Sequence, residues 1–138
     1  MMRKALVFIG LLSVTTAIFA QTREDIQVHV LPVTGTPEQA AFFRDNFEME
    51  IKGAGYTTTY IATEADYLFQ LEVKPNMISY DDGTQEQAPA EEGQFLLHLT
   101  LIRNEDRTEM VAFSFPFTQL EEMYDFNLKL VYEAMANV

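Results

Sequence analysis

The chain has no cysteine, no tryptophan and only two histidines. Without thiols it can form no disulfide and no thiolate metal site, and a thiol nucleophile is excluded. Attachment through a lipidated N-terminal cysteine is excluded with them. Positive charge is also scarce, with 9 Lys and Arg against 21 Asp and Glu, a formal charge of −12. Such a surface repels phosphate backbones and anionic membranes, so it is either a solvated acidic surface or one suited to a basic partner. Serine is limited to Ser13, Ser79 and Ser114. Neither of the last two lies in a Gly-x-Ser-x-Gly turn, so nothing marks a serine nucleophile.

The N-terminus carries the clearest positive signal. Arg3 and Lys4 precede an uncharged run from Ala5 to Ile18, and Ile18-Phe19-Ala20 closes it on a small residue. That layout predicts a secretory signal over 1–20, cleaved before Gln21. The run is shorter than the roughly 20 apolar residues of a spanning helix. Residues 21–138 then form one mature domain with 7 basic and 21 acidic residues, 7 − 21 = −14. Its expected location is the periplasm, with secretion the second choice. Most of the 11 Phe fall in this part and supply bulk for a core.

Alternation along Ile26–Leu31 predicts a strand, and Pro32 limits it. Thr36-Pro37-Glu38-Gln39 reads as a helix start with a capping box. Ala40, Phe43, Phe47, Ile51 and Ala54 follow as one apolar stripe, and Gly53 and Gly55 stop the helix. Tyr56–Tyr60 predicts a short edge strand. Tyr67–Val73 predicts another, with Met77–Tyr80 able to continue it only past a bend at Pro75. Residues 81–93 read as a mobile acidic loop. A hairpin follows, with strands over 94–102 and 110–117 around a turn at 104–107. Thr118 with Glu121 is expected to cap a last helix that buries Tyr124, Leu128, Val131, Met135 and Val138. The order β-α-β-β-β-β-α predicts an α+β two-layer sandwich, a four- to five-stranded mixed sheet with two helices on one face. Leu68, Leu96, Ile102 and Met110 fall on the opposite face, which hints at a partner surface.

Chemistry-bearing clusters are sparse. His29 and His98 sit mid-strand on one phase and lack metal-ligand spacing. Asp81-Asp82-Gly83-Thr84-Gln85-Glu86 is oxygen-rich but does not match the spacing of an EF-hand loop. The adjacent acidic pairs Asp81/Asp82, Glu91/Glu92 and Glu121/Glu122 read as solvated or helix-start carboxylates. Gly53-Ala54-Gly55 ends a helix, where a phosphate would meet the unfavourable dipole end. The expectation is therefore no catalytic, cofactor-binding or metal-binding residues, and no nucleic-acid partner.

Several short stretches in series carry a resemblance: Leu31-Pro32-Val33, Gly55-Tyr56, Glu64-Ala65-Asp66-Tyr67, Leu97-His98-Leu99-Thr100-Leu101-Ile102 and Leu130-Val131-Tyr132. Over about residues 26–137 the chain resembles the periplasmic α/β domain at the N-terminus of TolB, with kin in CsgG- and LpoB-type envelope proteins. It is closest in flavour to exported spirochaete proteins of uncharacterised function, some of which continue into an outer-membrane β-barrel. The chain has Arg107-Thr108 in the hairpin turn, where the family usually has glycine. The resemblance implies a non-enzymatic adaptor that binds another envelope protein, without a membrane anchor in the mature chain. Tyr56, Thr58, Tyr60, Leu68, Leu96 and Ile102 are the expected contact residues. The alternative is a small-ligand or metal (Ca2+ or Zn2+) binding protein, with the ligand between the sheet and loop 81–93. An enzyme is the reading these residues support least.

Overall fold

The computed structural model describes residues 22–136 and 138, so the signal expected over 1–20 lies outside the described residues. Local chemistry starts the first helix, α1 (Pro37–Gly53), where the sequence predicts it. The Thr36 hydroxyl accepts the Gln39 N–H at 3.2 Å, and the Gln39 side chain accepts the Thr36 N–H at 3.0 Å. Pro37 at the first helical position loses no hydrogen bond there. Phe43, Phe47 and Ile51 are fully buried along one stripe. The chain leaves the helix through Gly55, whose φ of 101° suits glycine.

The described residues form seven strands: β1 (Gln27–Val30), β2 (Thr57–Thr58), β3 (Tyr67–Pro75), β4 (Met77–Ser79), β5 (Gln85–Gln87), β6 (Phe95–Arg103) and β7 (Thr108–Phe117). Five of them form a mixed sheet in the order β2-β1-β3-β6-β7. β1 runs parallel to both β2 and β3, and β3, β6 and β7 are antiparallel. A second helix, α2 (Asn127–Met135), packs beside α1, and both bury their stripes on the Val28, Phe69, Leu99 face of the sheet. The fold is α+β, with the sheet one layer and the helices the other.

The segment 81–93 differs from the expected loop. Gln85–Gln87 pairs antiparallel with Met77–Ser79 as a separate two-stranded sheet, and Ala90–Glu92 forms a 3-10 turn. Pro75 ends the β3 ladder, and Asn76 anchors the excursion: its backbone N–H donates to Gln94 O (2.9 Å) and its side chain to Gly93 O (2.8 Å).

The C-terminal helix also departs from expectation. A 3-10 segment, Leu120–Asp125, precedes it, and the Glu122 carboxylate accepts the Gln119 N–H at 3.0 Å. Thr118 does not cap the helix; its hydroxyl donates to Ala90 O at 2.6 Å. The tighter 3-10 winding shifts the helical phase. Met123, Asn127, Leu130, Val131, Ala134 and Met135 are therefore buried, while Tyr124 (60% exposed) and Leu128 (37%) face out. Asn127 is 1% exposed and neither side-chain amide atom has a hydrogen-bond partner. A buried unpaired amide costs about 1–3 kcal/mol. Asn127→Leu should therefore stabilise the protein by about 1–2 kcal/mol, read as a higher urea midpoint. A lower midpoint would mean that the amide holds a buried water.

In the 104–107 turn, Arg107 adopts φ 61°, the left-handed region that most side chains avoid. The turn holds because Asp106 accepts two hydrogen bonds from the Arg103 guanidinium (2.8 and 3.1 Å) and one from the Thr108 N–H (3.1 Å). Those bonds hold the Asp106 carboxyl well below the ordinary carboxylate range, the Arg103 bonds most of all. Glycine relieves the left-handed strain and adds unfolded-state entropy, so Arg107→Gly should gain only about 0.5 kcal/mol, measured by thermal melting.

Candidate functional site

Of the surface clefts, one depends directly on strand order. β2 is only two residues long, and after the Thr59 N–H bonds to Val28 O at 2.9 Å the pairing stops short of Val30, beside α1. The result is a cleft of about 660 Å³ lined by His29, Val30, Pro32, Arg44, Asp45, Glu48 and Tyr60. Arg44 and Glu48 are four apart on α1, so they share a flank of the helix beside its buried stripe. Arg44 also donates to Asp45 at 3.2 Å, an exposed pair that adds little stability.

His29 Nδ1 lies 2.8 Å from the Thr59 carbonyl oxygen. A carbonyl can only accept, so Nδ1 carries the proton, and in the neutral ring Nε2 keeps its lone pair. Tyr60 closes the rim at 78% exposure. The cleft thus offers an imidazole acceptor, a guanidinium, two carboxylates and an aromatic ring. Such a set recognises polar groups on a ligand or a peptide. It has no nucleophile set against a base.

The six expected contact residues do not form one surface. Tyr56 is half-buried against the core, with the Arg23 guanidinium 5.7 Å from its ring centre. Thr58 lies on the edge strand opposite Val28, and Tyr60 is on the cleft rim. Leu68 does occupy the outer face, next to His29 and Ile102, but it is 1% exposed and offers a partner almost nothing. Leu96 pairs with Lys74, six positions along β3 from Leu68, which is about 20 Å at strand rise. The outer apolar residues are therefore scattered.

His98 faces outward and its Nδ1 lies 2.9 Å from the Ser114 hydroxyl. That nitrogen is the one an orienting carboxylate would occupy in a triad, and none of the three clefts described here includes the pair. Among the described residues no three His, Asp or Glu side chains converge on a point that could hold a metal ion. The other two clefts lie beside the Arg103–Glu105 turn and between Thr36–Gln39 and Phe117–Glu121, and neither is lined by residues 81–93. Among the described residues no helix is long and apolar enough to cross a membrane, which says nothing of a β-barrel.

Sequence reasoning missed the cleft lining from α1. Arg44, Asp45 and Glu48 lie away from the apolar stripe of α1, and only the early end of β2 gives them a concave neighbour.

No protein-family model and no curated protein matches the sequence. Solved structures do share the fold. TolB from Acinetobacter baumannii is similar at TM-score 0.50 and 10% identity, over 82% of this chain and 29% of that one. A Xanthomonas campestris protein of the family model DUF330 is similar at TM-score 0.54 and 10% identity, over 81% and 85% of the two chains. A PelC dodecamer from Paraburkholderia phytofirmans reaches TM-score 0.50 and 13% identity over 86% and 88%. The chain thus spans less than a third of TolB but most of the other two. At these identities the likeness is one of fold, and none of the three is named for a catalytic activity.

Proposed function

We propose that this chain is an exported binding module of the bacterial cell envelope, acting in the periplasm by docking another envelope protein rather than by catalysis. The observation that carries this reading is the open sheet edge at β2, with exposed Tyr60 at the rim of a polar cleft. An extended segment of a partner can lie along the outer side of β2 and the Val30 end of β1 and take backbone hydrogen bonds there. Tyr60 would be its aromatic anchor, and the acidic surface favours a partner with basic side chains. The fold shared with TolB supports the reading, as does the export signal read in the sequence.

A photo-crosslinking residue at position 60 of the exported protein, made in living cells, tests it. The expected result is a discrete adduct to one envelope protein, absent when the probe sits at Glu133 on α2. No adduct, or the same adducts from both positions, would count against the docking role. A second reading is a small polar ligand in the same cleft, favoured by its lining, which joins His29 to Arg44, Asp45 and Glu48 of α1. Melting with Ca2+, Zn2+ or EDTA addresses its metal form; unchanged midpoints would remove it.

A further inference from the structure

The opposite edge of the sheet is β7, which runs for ten residues with β6 on one side and, among the described residues, no strand on the other. The outward-facing backbone groups follow from the hydrogen bonds. Asn76 donates to Gln94 O and Asn104 to Asp66 O, so the even-numbered residues of β6 turn their backbone groups toward β3. The odd ones then bond to β7, where they pair with Phe117, Phe115, Phe113 and Val111. Ala112 and Ser114 consequently present both N–H and C=O to the free edge. Pro116, which has no N–H to give, occupies the next outward position.

The side chains along this edge are uncharged. From Met110 to Leu120 there is no ionisable residue, in a chain of formal charge −12. On the helix side Val111, Phe113 and Phe115 are only half-buried, and Phe126, 37% exposed, lies 4.9 Å from Phe115 between ring centres. On the outer side stand the exposed small residues Ala112 and Ser114. A bulge beside Leu101 and Pro116 bracket the strand and leave a window from Val111 to Phe115.

We propose that this window pairs antiparallel with the same window of a second copy, joining two sheets across a two-fold axis at Phe113. The register matches itself. Ala112 faces Ser114 of the second copy and exchanges both backbone hydrogen bonds with it, and symmetry doubles them. Phe113 meets its own equivalent in a non-hydrogen-bonded pair, where side chains approach closest. Val111 meets Phe115. Glu109 falls opposite Phe117, so no like charges face each other even though both copies are acidic. The contact is short, so the dimer is weak, with dissociation expected on the order of tens of micromolar.

Sedimentation velocity of the purified protein from 1 to 500 µM (about the range such a dimer requires) tests this. The expected result is a monomer–dimer equilibrium that tightens as salt is raised, because screening relieves the repulsion between acidic copies. Ser114→Pro removes an outward N–H, and Ala112→Asp sets two carboxylates diagonally across the axis. Each should weaken dimerisation at least tenfold with circular dichroism unchanged, while Thr58→Lys on the far edge should not. Should both variants fail to fold, the cysteine-free background supplies a second measurement. Phe113→Cys should form a disulfide-linked dimer on oxidation, and Thr58→Cys should not. A monomer throughout, a dimer lost in Thr58→Lys but kept in the β7 variants, or the absence of the Phe113→Cys cross-link would each overturn the proposal.

Discussion

Phe43→Ala should destabilise the protein by about 3–5 kcal/mol, the range for removing a fully buried Phe. Phe43 is 0% exposed and is the point where the two layers of aromatic side chains meet. Its ring stands edge-on to Phe42, Phe47 and Phe117, with centres 5.2, 6.4 and 5.4 Å apart. Phe47 then contacts Phe69 of β3, and Phe117 stacks on Phe95 of β6. One ring thus ties α1 to two separate parts of the sheet. Alanine leaves a void that neither a helix nor a five-stranded sheet can close by a small shift, so both the transfer and the cavity costs apply. Chemical denaturation would show a lower midpoint at an unchanged slope. A loss below about 1.5 kcal/mol would mean that the site collapses and that the aromatic cluster is not continuous.

Gly93→Ala should cost about 2–5 kcal/mol, from backbone strain and forced repacking together. Gly93 has φ 90° and ψ 108°, a region that side chains rarely enter. A Cβ there would meet the Pro116 Cβ at 2.7 Å and the Phe117 backbone nitrogen at 3.0 Å. The close approach has a purpose in the fold. Gly93 brings the 76–92 excursion back onto the sheet beneath β7, while its carbonyl accepts from Asn76 and the Thr118 hydroxyl bonds Ala90. Alanine must therefore push against the backbone of β7, not against a flexible side-chain tip. Gly83→Ala is the control for left-handed strain alone, because Gly83 has φ 88° and open space around it. The excess loss in Gly93→Ala over Gly83→Ala measures the clash. Equal losses would show that strain explains both and that β7 yields.

Both substitutions act where segments distant in sequence touch, and that distinction also divides what could be read from the residues. The capping box of Thr36 and Gln39 is legible because both partners lie within one helical turn. The alternation of β3 and β6 is legible because a strand buried on one face repeats every second residue. Even the left-handed Arg107 leaves a trace, as a turn in which glycine would be expected. The C-terminal helix was read only in part: Val131 and Met135 are buried as expected, but Tyr124, Leu128 and Val138 are not, because periodicity gives the spacing of a stripe and not its phase. The 3-10 turn at Leu120–Asp125 turned Tyr124 and Leu128 outward and drew Met123 and Asn127 in. The pairing of 77–79 with 85–87 was missed because both strands are short and β5 is wholly polar, with every residue exposed.

The candidate site lies almost wholly on the unreadable side of that division. Tyr60 was chosen as part of a short edge strand, but its cleft exists only because β2 stops after two residues beside α1. Leu68 was chosen by phase, and the phase was right, yet its neighbours cover it. Alternation reports which face a side chain takes and not what lies over that face. The residues alone determined the element types, their order β-α-β-β-β-β-α in the main sheet and the one-sided placement of the helices. These depend on hydrogen bonds and contacts made within a few residues. Only the tertiary structure decided that β7 is the other edge, that the β2 edge opens a cleft and that, among the described residues, no strand lies beside β7. Those outcomes depend on pairings such as His29 with Thr59 and Phe43 with Phe117, between groups thirty or more residues apart, which no local pattern encodes.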